Sequence, residues 1–393
     1  MKQVNKVSYC ATSFFTTAPA EGLCRFLVDS TDGAMQRAYI VNSGSAATEA
    51  AIKLARQYFL EKSNPEPERS HYISRNQSYH GITLGALAIS GHQTRRQHFE
   101  PLLNSNTSKV SPCFPYRGQK EDESDEEYLS RLLGEIDAEF QRVGSHKVAA
   151  FIMEPIVGAA LGCVPAVPGY IAGVRKICDK YGALLILDEV MCGMGRSGTL
   201  HAWQHDGTAP DIQTIGKGLG GGYQPIAGVL ICGKVIDALN QGTGSFVHGQ
   251  TYQCHPLASA ASLEVQRIIQ TDNLLDNVRK MGSLLFEGLS KALLAHPNIG
   301  DVRGRGLFWG VELVQDKTTK APFPASKQIA SRLCSLAISE KYNFCIYPGS
   351  GTADGVHGDH FIVSPAYTIT EDDVGFIVST IKAVVEEFFS SEI

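Results

Sequence analysis

The sequence predicts an α/β fold: a large domain with a mostly parallel central sheet flanked by helices, and a smaller C-terminal α+β domain. Three observations lead there. Through about residue 255, short apolar runs rich in branched residues alternate with stretches of helical periodicity. Several of those runs are continuous rather than polar-alternating, as strands covered on both faces are. Beyond residue 256 the pattern shifts to long helical stretches with few strands.

Candidate strands span 38–41, 71–74, 148–153, 183–187, 212–215 and 226–231. Between the first two, residues 46–60 carry Ala47, Ala51, Leu54 and Tyr58 along one side of a helix. Ser124 stands three residues before Glu127, the spacing of a capping box, and opens a helix over 125–143. Residues 170–181 form the helix that feeds strand 183–187. A helix over 256–269 leads into a second one through Leu293. Residues 302–314 read as strand-like around 310–313, and 326–340 as a helix. From Thr370 onward Val374, Ile377, Ile381, Val384 and Phe388 share one helical face. The expected division is a shortened N-terminal segment (1–29), a large domain (30–265) and a small C-terminal domain (266–393).

With 393 residues the chain is long enough for two domains, and 43% hydrophobic against 19% charged residues suits a large core. A net charge of −5 argues against nucleic acid as a partner. The longest charge run, 120–127, is acidic and reads as a solvated loop entering a helix. Ten cysteines are scattered without a CxxC, so neither a metal site nor a disulfide framework is expected. The N-terminus has no apolar signal core and no apolar run is long enough to span a bilayer, so a cytoplasmic protein is expected.

The most informative feature is Lys217. Five of the seven residues 216–222 are glycine, and glycine costs backbone entropy that must serve a use. One use is to let a planar ligand approach the backbone while a lysine reaches it. Twenty-nine residues earlier, strand 183–187 runs into Asp188. A carboxylate there can hold a protonated ring nitrogen. Together these are the two protein contacts that pyridoxal phosphate needs most. Taken singly, the same residues read as a lysine in a flexible loop and a strand-end aspartate capping a helix.

Other groups follow strand ends. The turn at Ser43, Gly44 and Ser45 opens a helix and offers free amides to a phosphate, or simply caps the helix. Tyr79, followed by His80, can lie on a pyridine ring or pack in the core. Glu154 precedes a proline and either orients active-site groups or caps a turn. Thr251, in isolation, is a loop residue near glycine. Ligands of open α/β sheets bind at the carboxyl ends of strands. Ser43–Ser45, Tyr79, Glu154, Asp188 and Lys217 all fall there, which favours one cofactor site over separate coincidences. A nicotinamide dehydrogenase is disfavoured, because 216–222 lacks the G-x-G-x-x-G pattern and its acidic residue.

These residues resemble the class III aminotransferases. The resemblance covers nearly the whole chain and is most specific over 184–219, LLILDEVMCGMGRSGTLHAWQHDGTAPDIQTIGKGL. NSGSAATEAAIKLAR (42–56), YHG (79–81), MEPIVG (153–158) and VRGRGLFWGVEL (302–313) agree in order and spacing. The resemblance implies a fold-type I architecture and a ping-pong reaction on pyridoxal 5'-phosphate. Lys217 would bind the cofactor covalently and shuttle the proton, and Asp188 would pair with the pyridinium nitrogen. Val190 and Tyr79 would cover the two ring faces, and Gly44 and Ser45 would bind the phosphate. Thr251 would reach the phosphate of the neighbouring subunit, making a homodimer with shared active sites. His80 and Glu154 would take supporting roles.

The departures from the family pattern point to the ω-aminotransferase-like branch. Met191, Val157 and Ala159 stand where ornithine-type members carry Gln, Gln and a gating Glu. The segment 347–360 contains no arginine, where related enzymes often hold a substrate carboxylate, and His357 cannot reproduce bidentate recognition. The expected substrates are small molecules: an amine, amino alcohol or ω-amino acid donor and a keto acid or aldehyde acceptor. Two alternatives stay open at this point. One is another pyridoxal-phosphate reaction (racemase, aminomutase or decarboxylase); the other is a catalytically impaired dimeric binding protein.

Overall fold

The structure, a computed structural model, describes residues 2–392. The described residues contribute thirteen strands to three sheets. In the amino-terminal part these are β1 (Arg37–Val41), β2 (His71–Arg75), β3 (Thr107–Val110), β4 (Val148–Met153), β5 (Ile156–Val157), β6 (Val164–Pro165), β7 (Leu184–Asp188), β8 (Ile212–Ile215) and β9 (Ala227–Ile231). The carboxyl-terminal part supplies β10 (Ile299–Arg305), β11 (Phe308–Leu313), β12 (Tyr347–Ser350) and β13 (Asp359–Val363).

The central sheet has seven strands in the order β1-β9-β8-β7-β4-β2-β3. The pairs β8–β7, β7–β4, β4–β2 and β2–β3 are parallel, and β9 alone runs against its neighbours β1 and β8. The sheet is therefore mostly parallel, as expected. Because β1 and β8 are both antiparallel to β9, they share a direction. The carboxyl ends of β1, β2, β4, β7 and β8 consequently meet on one rim.

Consecutive residues along the central strands enter different cores, which explains their continuous apolar runs. Ile152 and Ile186 pack with Leu54 of helix Gly44–Glu61, whereas Phe151, Leu185 and Leu187 pack with Phe140 and Ile171 of helices Asp125–Val143 and Tyr170–Tyr181. The Ser124 capping box forms: its hydroxyl accepts from Glu127 N, and Glu127 accepts from Ser124 N at 2.9 Å. Strands β10, β11, β13 and β12 form a second, antiparallel sheet. Helices Leu274–Leu293, Ile329–Ile338 and Glu371–Glu392 pack on it through Leu285, Leu333 and Ile381.

Several elements differ from expectation. The stretch 302–314 is two strands, β10 and β11, turned at Gly306, whose φ of +60° suits glycine. Strand β3 was not expected; it is a half-buried, polar edge strand without an apolar run. Helix Ala18–Asp29 was also missed, although Leu23 and Leu27 are fully buried against Leu263 and neighbours. The helix expected over 326–340 is shorter, Ile329–Ile338, because Gln328 at φ +48° breaks the run before it. Among the described residues no helix is long and apolar enough to cross a membrane.

Candidate active site

Eight of the nine candidate residues line one cavity of about 270 Å³ on the carboxyl rim: Gly44, Ser45, Tyr79, His80, Glu154, Asp188, Val190 and Lys217. Ser43, Gly81 and Met191 complete it. The ninth, Thr251, is exposed in a turn outside this lining.

Asp188 ends β7 and is 4% exposed. Its Oδ1 accepts from the Thr214 hydroxyl at 2.9 Å and from Val190 N at 3.1 Å. Its Oδ2 lies 2.8 Å from His80 Nδ1. An ionised carboxylate only accepts, so the Nδ1 proton of His80 points at it. His80 Nε2 is buried with no protein partner among the described residues. Thr214 was not expected in the site. It faces Asp188 only through the β7–β8 register, which pairs those two residues.

Lys217 opens a 3-10 turn, Lys217–Leu219, directly after β8. Its φ of +40° lies in the left-handed region that residues other than glycine rarely take. Such strain persists where the surroundings over-determine it, commonly at functional sites. Close approach explains the next residue: a Cβ on Gly218 would come within 2.8 Å of the Tyr367 hydroxyl. Lys217 also lines a second cavity of about 630 Å³ with Arg196, Tyr223 and Tyr367.

The helix Gly44–Glu61 starts at the same rim. Ser43 caps it, its hydroxyl accepting from Ala46 N at 3.1 Å. The Gly44 and Ser45 amides precede the first intrahelical bond, and among the described residues neither has a protein acceptor. Together with the positive end of the helix dipole, they form an anion receptor. A Cβ on Gly44 would stand 2.8 Å from Val190 Cγ1, so glycine lets Val190 lean over the helix start.

Glu154 is buried beyond β4. Its two carboxylate oxygens accept from Tyr79 N and Gly158 N, each at 3.0 Å. Arg75 Nη2 donates to the Glu154 carbonyl at 2.6 Å. Burial pushes the Glu154 carboxyl above its ordinary value. Its contacts make it the clamp that holds the Tyr79 backbone in place. Glu189, beside Asp188, points to the other side of the strand, where it accepts from Ala202 N at 2.6 Å and Trp203 N at 2.8 Å. Burial pushes its carboxyl up to about 8. The site thus combines an amine, a buried oriented carboxylate, an aromatic ring and an anion receptor.

The chain is similar to known proteins along nearly its whole length. The family described as aminotransferase class-III matches residues 1–385. An aminotransferase of Gibberella zeae is 48% identical, covering 98% of this chain and 75% of its own length. An uncharacterised aminotransferase of Schizosaccharomyces pombe is 44% identical, with 98% and 83% covered. Among solved structures, an amine transaminase from an uncultivated Pseudomonas species in its PLP-bound form superposes with a TM-score of 0.89 at 30% identity, covering 98% of this chain and 84% of that one. An (S)-enantioselective omega-transaminase from Thermomicrobium roseum gives 0.90 at 32% identity, with 98% and 83% covered. Family match, relatives and fold agree, and the chain belongs to the class III aminotransferases.

Proposed function

We propose that the chain binds pyridoxal phosphate and moves an amino group from an amine, amino alcohol or ω-amino acid to a keto acid or aldehyde, in two half-reactions of ping-pong order. The observation that carries this reading is the convergence of three different groups on one cavity: the Lys217 amine, the Asp188 carboxylate and the free amides of Gly44 and Ser45. They match the carbonyl, ring nitrogen and phosphate of that cofactor. The buried carboxylate keeps a lone pair beyond its contacts to Thr214, Val190 and His80, as a protonated ring nitrogen requires.

When bound, the cofactor would supply an electron sink for breaking the Cα–H bond of the donor. The remaining work falls to the chain. Lys217 would anchor the cofactor and, once released, carry the proton taken from Cα. Asp188 would keep the ring nitrogen protonated, and His80 and Thr214 would fix its two oxygens. Tyr79 and Val190 would confine the ring, and Glu154 would hold Tyr79 through its amide. Gly44 and Ser45 would receive the phosphate.

The reading extends to a cytoplasmic homodimer with shared active sites. Thr251 lies outside the cavity of its own chain, and we assign it to the phosphate of the neighbouring subunit. Exposed apolar residues beside the site segments, including Ile82 (67%), Tyr223 (76%) and Val247 (68%), support a covered surface there.

The test is a half-reaction. The cofactor-loaded protein is mixed with single amines and no acceptor. One equivalent of keto or aldehyde product per site supports the proposal. Racemisation without a keto product, or release of carbon dioxide, would instead assign another reaction, and no conversion across the panel would overturn the reading.

A further inference from the structure

Arg95 is not among the residues that line the candidate site, yet its guanidinium is one ring away. The guanidinium carbon lies 4.7 Å from the centroid of the Tyr79 ring. Arg95 Nη2 donates to the Tyr347 hydroxyl at 3.3 Å. The 347–358 segment folds against this corner. Gln77 Nε2 donates to the Gly351 and Thr352 carbonyls at 2.9 and 2.8 Å, and a Cβ on Gly355 would sit 3.0 Å from Gln93 Cγ.

Two other arginines nearby are committed. Arg196 donates to the Leu307 and Pro365 carbonyls at 3.0 and 2.6 Å and stacks on Tyr367. Arg303 is buried against Asp301 and Glu312. Among the described residues no carboxylate pairs with Arg95, so its exposed charge is open to an anion beside Tyr79, whose ring lines the cavity. Stacking on an aromatic ring fixes the plane of a guanidinium while leaving N–H groups at its edge available. A carboxylate is the anion that matches such an edge, through two parallel N–H···O bonds.

We propose that Arg95 is the receptor for a substrate carboxylate, with Tyr79 and Tyr347 as its positioning residues. It would serve the purpose that no arginine within 347–360 can serve. This inference rests on the aminotransferase reading. It narrows the substrates to carboxylate-bearing ones: keto acids as acceptors, or ω-amino acids as donors.

The experiment compares wild type with Arg95→Met and Arg95→Lys. Two matched pairs are used: pyruvate against butanal as acceptor, and 6-aminohexanoate against hexylamine as donor. The proposal expects the kcat/KM ratio of carboxylate-bearing to carboxylate-free partner to fall about tenfold to a hundredfold in Arg95→Met for at least one pair, with partial retention in Arg95→Lys. The pair that responds identifies which substrate carries the carboxylate. Calorimetric titration with 3-phenylpropionate, which cannot react, is expected to weaken by the same factor. Unchanged ratios with unchanged 3-phenylpropionate binding would overturn the assignment of Arg95. An equal loss on both members of each pair would also overturn it, marking Arg95 as a support for Tyr79 alone. Wild type that turns over none of the four partners would contradict the aminotransferase reading itself.

Discussion

His80 and Asp188 stand 108 positions apart in the chain, and a 2.8 Å contact from Nδ1 to Oδ2 joins them at the carboxyl rim of the sheet. The contact spends one oxygen of a buried carboxylate on the imidazole, while the Thr214 hydroxyl and the Val190 amide hold the other. Asp188 is thereby locked in orientation before any ligand arrives. Preorganisation of this kind spares reorganisation during the reaction.

The first prediction separates charge from orientation. Asp188→Asn keeps the shape but removes the charge, and kcat/KM is expected to fall by about a hundredfold or more. His80→Gln keeps the charge and loosens it, with a loss of about tenfold. Steady-state kinetics on both variants, with circular dichroism to establish folding, checks the order of the two effects.

Gly44→Ala is predicted to weaken cofactor binding with little change in global stability. The added Cβ would meet Val190 Cγ1 at 2.8 Å, so Val190 must shift away from the helix start. Fluorescence titration with pyridoxal phosphate measures the effect. Val190→Ala in the same background is expected to restore part of the affinity, a coupling that a double-mutant cycle would quantify.

Glu154→Gln is predicted to destabilise the fold by about 1–3 kcal/mol, because a side-chain amide can accept only one of the two backbone N–H groups now bound by Glu154. Urea denaturation gives the stability change. The same variant is expected to weaken cofactor binding, since the Tyr79 amide loses its anchor.

Glu189 makes stability depend on pH. Burial pushes its carboxyl from an ordinary 4.5 up to about 8. Between those values the folded chain holds a proton that the unfolded chain has released. Stability therefore falls as pH rises from 4.5 to 8, by at most about 1.4 kcal/mol per pH unit from this group, and levels off above 8. Thermal melts from pH 5 to 9 are expected to show this slope, and Glu189→Gln is expected to flatten it.

Much of this was legible in the sequence because local signals and tertiary needs coincided. The Ser124–Glu127 spacing marked a helix start that the capping box confirms. The continuous apolar runs of β4 and β7 marked strands buried on both faces. Strand β3 carried no such mark, since Thr107, Ser108 and Lys109 sit half-buried at the sheet edge. Thr214 was invisible because its meeting with Asp188 depends on strand register rather than on spacing along the chain. Arg95 was missed for a related reason: a short helix places it, and its partners Tyr79 and Tyr347 lie 16 and 252 positions away.

The central claim is that Lys217 and Asp188 form one working cofactor site. The visible absorbance spectrum of the protein with pyridoxal phosphate, recorded beside Lys217→Ala before and after adding an amine, tests it most directly. The account predicts a yellow band that requires Lys217 and bleaches when the amine is added. A protein that stays colourless under reconstitution, or a band that persists unchanged in Lys217→Ala, would contradict it.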